Sequence, residues 1–359
     1  MSSLLDDHTY ITQIKESITM KFITFTVPCY NSAAYMERCI NSLLLAGEDA
    51  EIIIVNDGST DDTAKIADAY AEKYPTIVKV CHKENGGHGS GVNYGIKNAT
   101  GLFFKIVDSD DWLDPIALQR LLGIIKKVHA QGHTVDAFIC NYVYEHVQDN
   151  TQYVVNYRNV FPKNHIISWK KVRPFRVSQF LMMHSLIFRT AILKENNIEL
   201  PEHTFYVDNI YVCHTLPHVR KIYYLDADLY RYFIGRADQS VSKDVFMSRI
   251  DQHLKVTNII IDNYDMQAAR AVDRHLERYI TRHVAILCST ASVFLTMRGD
   301  DEAMKLRVDF WKRLKEVNPE LYRDVRYTTF SGLTDIPGKF GKFLITKGYE
   351  ISQKLYKYN

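Results

Sequence analysis

Along the first 130 residues a short apolar run of strand character is followed by a helix-spaced stripe, and the pair recurs four times. The runs are Phe22–Val27, Ile52–Val55, Val78–Val80 and Phe103–Val107, the second apolar on both faces as a buried parallel strand should be. Met36, Cys39, Ile40, Leu43 and Leu44 recur at helical spacing after the first run. Further helices are predicted through Tyr70, near Val92–Ala99, and from Asp114 to about His129. Pro28 is expected to end the first strand. Asn31 or Ser32 is expected to cap the first helix, Ser59 or Thr60 the second, and Asp114, ahead of Pro115, the fourth. This alternation predicts an α/β fold with a largely parallel sheet and ligands at the carboxyl ends of its strands. The unusual polar clusters, Pro28–Asn31, Asp57–Thr60, His82–Gly91 and Asp108–Asp111, all fall at such ends.

Beyond residue 130 the pattern changes. Ala137–Tyr144 and Tyr153–Tyr157 read as strands joined across Gln148–Thr151, and Asn209–Leu216 as a helix. Ile222–Leu225 and Leu229–Phe233 read as two strands about an Asp226-Ala227-Asp228 turn. From Phe246 to about Leu314 the chain reads as helical. The basic stretch 335–359 could align Phe340, Leu344, Ile351, Leu355 and Tyr358 on one helical face. The organisation expected is an extension over 1–20, a sheet-bearing unit over 21–240 with halves 21–130 and 131–240, a helical region over 241–334 and the basic tail.

Composition narrows the function classes. With 46% hydrophobic and 24% charged residues, the 359-residue chain has ample material for a core. Its net charge of +2 is too balanced for nucleic acid as a bulk electrostatic partner. Six scattered cysteines without a Cys-x-x-Cys pair argue against a disulfide framework or zinc site and fit a reducing cytoplasm. Residues 1–20 lack the apolar run of a signal peptide, and no stretch approaches ~18 uninterrupted apolar residues.

The candidate chemistry centres on Asp108-Ser109-Asp110-Asp111, where an apolar strand ends abruptly in acids. Asp108 and Asp110 fall on the same side of extended backbone, and like charges so close call for a cation between them. Carboxylate oxygens suit Mg²⁺ or Mn²⁺ with phosphate oxygens filling the remaining positions; the alternative is a solvated acidic turn. Gly86 and Gly87 open a turn that is not a dinucleotide fingerprint, because Val92 stands where the last glycine would be. Glycines there let backbone approach an anionic ligand, or form an ordinary tight loop. Asp57 either caps a turn or accepts from the imide N–H of a uracil stacked on Tyr30. His184 is an ordinary half-buried histidine or an acceptor-side residue. Asp208, after an aromatic-apolar run, is a helix-opening acid or a desolvated general base.

Taken together, Val27-Pro28-Cys29-Tyr30-Asn31, Val55-Asn56-Asp57-Gly58-Ser59-Thr60-Asp61, Asn85-Gly86-Gly87 and Asp108-Ser109-Asp110-Asp111 resemble, in order and spacing, family 2 glycosyltransferases of the GT-A fold, over about residues 20–235. The resemblance implies a mixed, largely parallel sheet flanked by helices with a helical C-terminal extension, and an enzyme of the bacterial cell-surface polysaccharide or teichoic-acid type. It puts Pro28, Tyr30, Asn31, Asp57, Gly86, Gly87, Asn93 and Asp108 on the nucleotide side, and Asp110 with Asp108 on Mn²⁺ or Mg²⁺. Asp208 falls where the family has the catalytic base of Glu-Asp, with Val207 replacing the Glu. The family's arginine ahead of Asn93-Tyr94-Gly95 is replaced by Val92, so a diphosphate contact is sought in Lys83 or Arg236.

The function implied is inverting transfer of a hexose-type sugar from a UDP-sugar to a hydroxyl of a glycan or lipid-linked acceptor. The chain would then lie in the cytoplasm, on the inner face of the membrane if the basic tail docks there; the tail could equally pack on the body or on a second subunit. Two rivals remain. A metal-dependent phosphohydrolase or nucleotidyltransferase would turn over without an acceptor, and a non-catalytic nucleotide- or glycan-binding protein would not need Asp208.

Overall fold

The computed structural model describes residues 20–356 except 148, 177, 178, 236–242 and 337. Arg236, Tyr358 and the expected extension through residue 19 lie outside the described residues. Four strands, β1 (Ile23–Cys29), β2 (Ala50–Asp57), β3 (Val78–Lys83) and β4 (Phe103–Ile106), pair in parallel in the order β3-β2-β1-β4. Beyond β4 the sheet turns mixed. The strand β9 (Leu186–Arg189) runs antiparallel to β4 and to β6 (Ala137–His146), and β6 runs parallel to β10 (Ile222–Ile234). The two-residue strand β5 (Trp112–Leu113) closes that edge against β10, while β7 (Thr151–Val155) and β8 (Ile166–Ile167) flank β6 and β10. The expectation of a largely parallel sheet therefore holds for the first half and yields to a mixed sheet in the second.

Three local expectations differ from the structure. Pro28 does not end β1, which continues to Cys29. The Thr26 carbonyl accepts from Val107 on the β4 side, so the even-numbered residues of β1 direct their backbone groups that way. Pro28 falls where β4 has already ended, and its missing N–H costs no ladder bond. Ile222–Ile234 is one strand rather than two, with a β-bulge between Leu225 and Tyr230 in place of a turn. The Asn141 amide donates to both Asp226 (3.0 Å) and Asp228 (2.8 Å), holding the bulge without breaking the strand. The first two helices, α1 (Met36–Leu44) and α2 (Thr63–Lys73), start at Tyr35 and Asp62 without a side-chain cap bond, so neither Asn31 or Ser32 nor Ser59 or Thr60 is the cap. Asn31 and Ser59 are spent on each other's loops: Ser59 Oγ accepts from the Asn31 amide, and Asn31 Oδ1 accepts from the Thr60 amide.

The helix α3 (His88–Asn98) packs on the sheet so closely that a Cβ at Gly95 would lie 2.2 Å from Thr26 Oγ1. The helix α4 (Pro115–Ala130) is capped as expected by Asp114, which accepts from the Ala117 amide at 3.0 Å. Two short helices, α5 (Thr190–Glu195) and α6 (Asp208–Thr215), connect the second half of the sheet. C-terminal to β10, the helices α7 (Lys243–Ser248), α8 (Ile250–Asn263), α9 (Met266–Val272), α10 (Arg274–Arg298), α11 (Asp301–Val317), α12 (Pro319–Thr328) and α13 (Gly338–Tyr356) form the helical region. Asp265, Asp300 and Asn318 cap α9, α11 and α12, and Gly299 ends α10 in the left-handed conformation. Among the described residues α10 alone is long and apolar enough to cross a membrane, but 61% of its apolar window is buried inside the molecule.

Gly95→Ala should lower stability by about 1–3 kcal/mol through overpacking against the fully buried Thr26. Urea unfolding should show a lower midpoint with an unchanged slope.

Candidate active site

The exit of β4 gathers the densest charge in the fold. Asp108 Oδ1 lies 2.9 Å from His88 Nε2, at the start of α3, and Asp108 Oδ2 lies 3.4 Å from His184 Nε2, ahead of β9. The Tyr230 hydroxyl of β10 donates to Asp111 Oδ2 at 2.6 Å and accepts from the Asp108 amide at 3.1 Å. Asp111 Oδ1 accepts from the Phe233 amide at 2.8 Å. Arg38 lies over the Trp112 ring at 3.7 Å and donates to the Asp110 carbonyl, fixing the turn from outside. Beneath it sits Lys105, fully buried in β4, which donates to the His184 carbonyl at 2.7 Å.

Electrostatics follow from burial and these partners. Burial, with Asp110 and Asp108 adding their negative charge, pushes the Asp111 carboxyl well above its ordinary value despite the Tyr230 and Phe233 donors. Burial would do the same to Asp108, but the hydrogen bonds and charge of His184 and His88 hold it well below. Burial opposes the His88 imidazolium, yet its bond to Asp108 and the charges of Asp108, Asp208 and Asp110 raise it. Burial brings the Lys105 ammonium down to about 8. One ligand atom each from Asp108, Asp111 and His184 lies within 4.8 Å of the others, a grouping with room for a cation. His184 is buried with its Nδ1 unpartnered, its ring 4.6 Å from that of Tyr230 and 4.7 Å from that of Tyr232.

The ends of β1 to β3 lie beside this cluster. Tyr30, 57% exposed, projects from the end of β1. The Asp57 carboxylate at the end of β2 accepts from the Gly86 and Gly87 amides (2.9 and 2.7 Å) and from Lys83 Nζ (2.9 Å). Lys83, sought as a diphosphate contact, is thus engaged in an ion pair. The glycines make room for protein: a Cβ at Gly87 would lie 3.1 Å from the His203 amide, one at Gly89 2.7 Å from the Pro201 carbonyl and one at Gly91 3.0 Å from Pro28 Cβ. Asn93 exchanges two hydrogen bonds with Leu200, donating at 2.8 Å and accepting at 2.9 Å. The tight-loop reading of the turn is therefore the one its contacts support, and the turn serves to dock the segment leading to Asp208.

That segment carries two residues in the left-handed region, His203 (φ 46°) and Tyr206 (φ 64°). Such conformations cost about 1–3 kcal/mol each and persist only where surroundings impose them. Here the His203 amide donates to the Gly86 carbonyl (2.7 Å), Ser90 to Glu202 (2.9 Å) and Lys255 to Thr204 (2.9 Å). The chain then opens α6 at Asp208, half-buried, its carboxylate accepting from the Asn209 amide group at 3.1 Å. Burial raises Asp208, the positive charge of His184 and His88 opposes this, and Asp108 adds to it. Asp208, His88, His184 and Asp108 therefore share one electrostatic site. Sequence reasoning gave no role to His88, Asp111, Tyr230 or Lys105; a lysine inside an otherwise apolar strand was the available signal for the last.

Residues 24–190 match the model of glycosyl transferase family 2. The chain is similar to EpsH of Bacillus subtilis (strain 168), which carries a glycosyltransferase name, at 28% identity over 74% of this chain and 75% of EpsH. It is 26% identical to the poly(ribitol-phosphate) beta-glucosyltransferase of Bacillus spizizenii over 78% of this chain, spanning 43% of that protein. Residues 1–349 of Staphylococcus aureus TarS, solved in complex with UDP-GlcNAc, superpose with a TM-score of 0.61 at 22% identity, covering 93% of this chain and 92% of that one. Residues 24–190 thus carry a glycosyl transferase family 2 domain, and the chain has the GT-A fold of the TarS structure.

The His88–Asp108 pair gives stability a defined pH window. His88 is raised above 6.5, so its contribution is complete below pH 6.5 and is lost as pH rises through the folded value. Asp108 is lowered below 3.8, so its contribution is present above pH 3.8 and is lost only as pH falls through its folded value. His88→Gln should therefore lower the thermal midpoint most near pH 5.5 and least near pH 9, as unfolding scans across that range would show.

Proposed function

We propose that this family 2 transferase moves a hexose-type sugar from a UDP-sugar to a hydroxyl of a glycan or lipid-linked acceptor, with inversion and with Asp208 as general base. The observation that carries this reading is the placement of Asp208: a half-buried carboxylate with a raised proton affinity, opening a helix beside the β4 acids. Tyr30, exposed at the end of β1, offers its ring to the base, with Pro28 and Asn31 bordering it and Asp57 accepting from the uracil imide N–H. Asp57 already holds the Gly86 and Gly87 amides, so it presents to the base a carboxylate whose position is fixed. Asp208 takes the proton from the acceptor hydroxyl; that oxygen bonds to the anomeric carbon as the bond to the diphosphate breaks, and UDP departs from the opposite face. His184, buried beneath the cluster, borders the acceptor side.

The donor set fits a divalent cation. One ligand atom each from Asp108, Asp111 and His184 lies within 4.8 Å of the others and Asp110 adds a carboxylate to the same turn, while burial, with the charge of Asp110 and Asp108, pushes Asp111 up. Asp111 anchors the turn through Tyr230 and Phe233 and both Asp108 oxygens face His88 and His184; Asp110 with Asp108 would hold Mn²⁺ or Mg²⁺. When bound, the ion supplies positive charge to the diphosphate oxygens. The poly(ribitol-phosphate) transferase and TarS neighbours support a nucleotide-sugar donor and a cell-envelope acceptor. On the tail, Phe340 and Phe343 are exposed on α13 near Lys342, which supports a peripheral contact with an anionic membrane.

Two measurements test the reading. Asp208→Asn should reduce sugar transfer by roughly 10²–10⁴-fold while the thermal shift given by UDP stays within experimental error; transfer at the wild-type rate would remove Asp208 from the role. Among UDP, GDP, CDP and ADP, UDP with Mn²⁺ should give the largest stabilisation, and Asp110→Ala should abolish the Mn²⁺-dependent part. Turnover of a UDP-sugar that is as fast without acceptor as with it would instead support a phosphohydrolase.

A further inference from the structure

A cavity lies away from the carboxylate cluster, between α10, α12 and the turn that follows α12. It has a volume of about 870 Å³, in the range of pockets that enclose a small organic ligand. Its charge is distinctive. Arg274, Arg278 and Arg282 are spaced by four residues and so share one face of α10, and Arg270 of α9 also lines the cavity. Like charges at that spacing repel and weaken a helix unless anions sit between them.

Two of the four guanidinium groups are already engaged. Arg270 is shared between Glu277 (3.2 Å) and Glu320 (2.9 Å), and Arg282 donates to the Phe175 and Arg176 carbonyls. Arg274 and Arg278 are exposed and have no hydrogen bond or ion pair among the described residues. The wall carboxylates do not balance them. Glu277 is taken by Arg270, and Asp324 pairs with Arg323 at 2.9 Å, so four lining arginines face two neutralised acids. The opposite wall carries three hydroxyls: those of Thr328 and Thr329 donate to the Asp324 and Val325 carbonyls, and that of Ser331 is buried without a partner. Phe330, 72% exposed, lies among them.

We propose that this cavity is an acceptor subsite for a phosphate-bearing polyol. Arg274 and Arg278 hold the phosphate in the bidentate manner guanidinium groups favour, the wall hydroxyls meet the polyol hydroxyls, and Phe330 covers its carbon face. The cavity is tied to the site of transfer through the same helix. Tyr279, next to Arg278, accepts from the Leu181 amide at 3.0 Å. His283, next to Arg282, lies 2.9 Å from Asn209 Oδ1, beside Asp208. A chain held on the arginine face therefore lies one helix away from the base. The inference rests on the transferase reading for calling the ligand an acceptor, but anion binding in the cavity does not depend on it.

The test uses the full-length chain and the double variant Arg274→Gln/Arg278→Gln, at two exposed positions outside the catalytic constellation. Inorganic phosphate, glycerol 3-phosphate and ribitol 5-phosphate are titrated calorimetrically, with UDP titrated in parallel as a check on the fold and the donor site. The wild type should bind ribitol 5-phosphate more tightly than inorganic phosphate, and more weakly as salt is added. The double variant should bind it about tenfold or more weakly while UDP binding is unchanged. Sedimentation with phosphatidylglycerol and phosphatidylcholine vesicles separates the sources. Arginine-dependent binding to the anionic vesicles alone, without soluble polyol phosphate binding, supports the same phosphodiester chemistry presented by a lipid headgroup. If polyol phosphate and vesicles bind the double variant as they bind the wild type, or neither binds the wild type, the subsite is overturned. Loss of UDP binding alone, with the cavity still responsive, would count against the donor assignment and leave the subsite standing.

Discussion

Three carboxylates at the end of one strand, Asp111 buried and Asp108 and Asp110 half-buried, are the constraint on which the rest of the structure turns. A carboxylate removed from water needs donors or cations around it, and no single element could supply them all. Asp108 receives His88 from α3 and His184 from the approach to β9; Asp111 receives Tyr230 and Phe233 from β10. Lys105, one turn of the pleat below, adds a buried positive charge and ties the His184 carbonyl to β4. The parallel half of the sheet and its mixed half are joined across β4, and these contacts fix them together at the point where the charge lies.

The same economy explains the glycine turn. A run of glycines ahead of a helix invites a phosphate-binding interpretation, yet two of its amides are bonded to Asp57 and its open faces are filled by Pro28, Pro201 and His203. What it holds is the strained segment that delivers Asp208. Left-handed His203 and Tyr206 are kept in place by bonds to Gly86, to α3 and to α8. The position of Asp208 is thus set by contacts distant from it in the chain.

The strand ends were legible because buried parallel strands and the acids that stop them leave strong local patterns. Asp57 and Asp108 stand where those patterns put them, at the ends of β2 and β4, and Asp208 opens a helix as its place after an aromatic-apolar run suggested. What was not legible depends on partners far along the chain. The bulge in β10 looks like a turn until Asn141, some 85 residues away, is seen to bond both of its aspartates. Pro28 looks like a stop until the length of β4 is known. His88 and Tyr230 acquire meaning only once the fold carries them to Asp108 and Asp111, and Arg274, Arg278 and Arg282 of α10 only once α12 closes a cavity over them.

The electrostatic arrangement bears on how a base could work here. Burial raises Asp208, while the imidazole groups of His88 and His184 restrain the rise. A carboxylate tuned upward accepts a proton more readily, provided it remains ionised before the acceptor arrives. A diphosphate entering beside it would add negative charge and raise it further, whereas a cation on the β4 acids would cancel part of the repulsion from Asp108. The same two histidines bond Asp108 and act electrostatically on Asp208. Removing either ring would disturb the Asp108 and Asp208 carboxylates at once, which couples these two acids without any movement of the backbone.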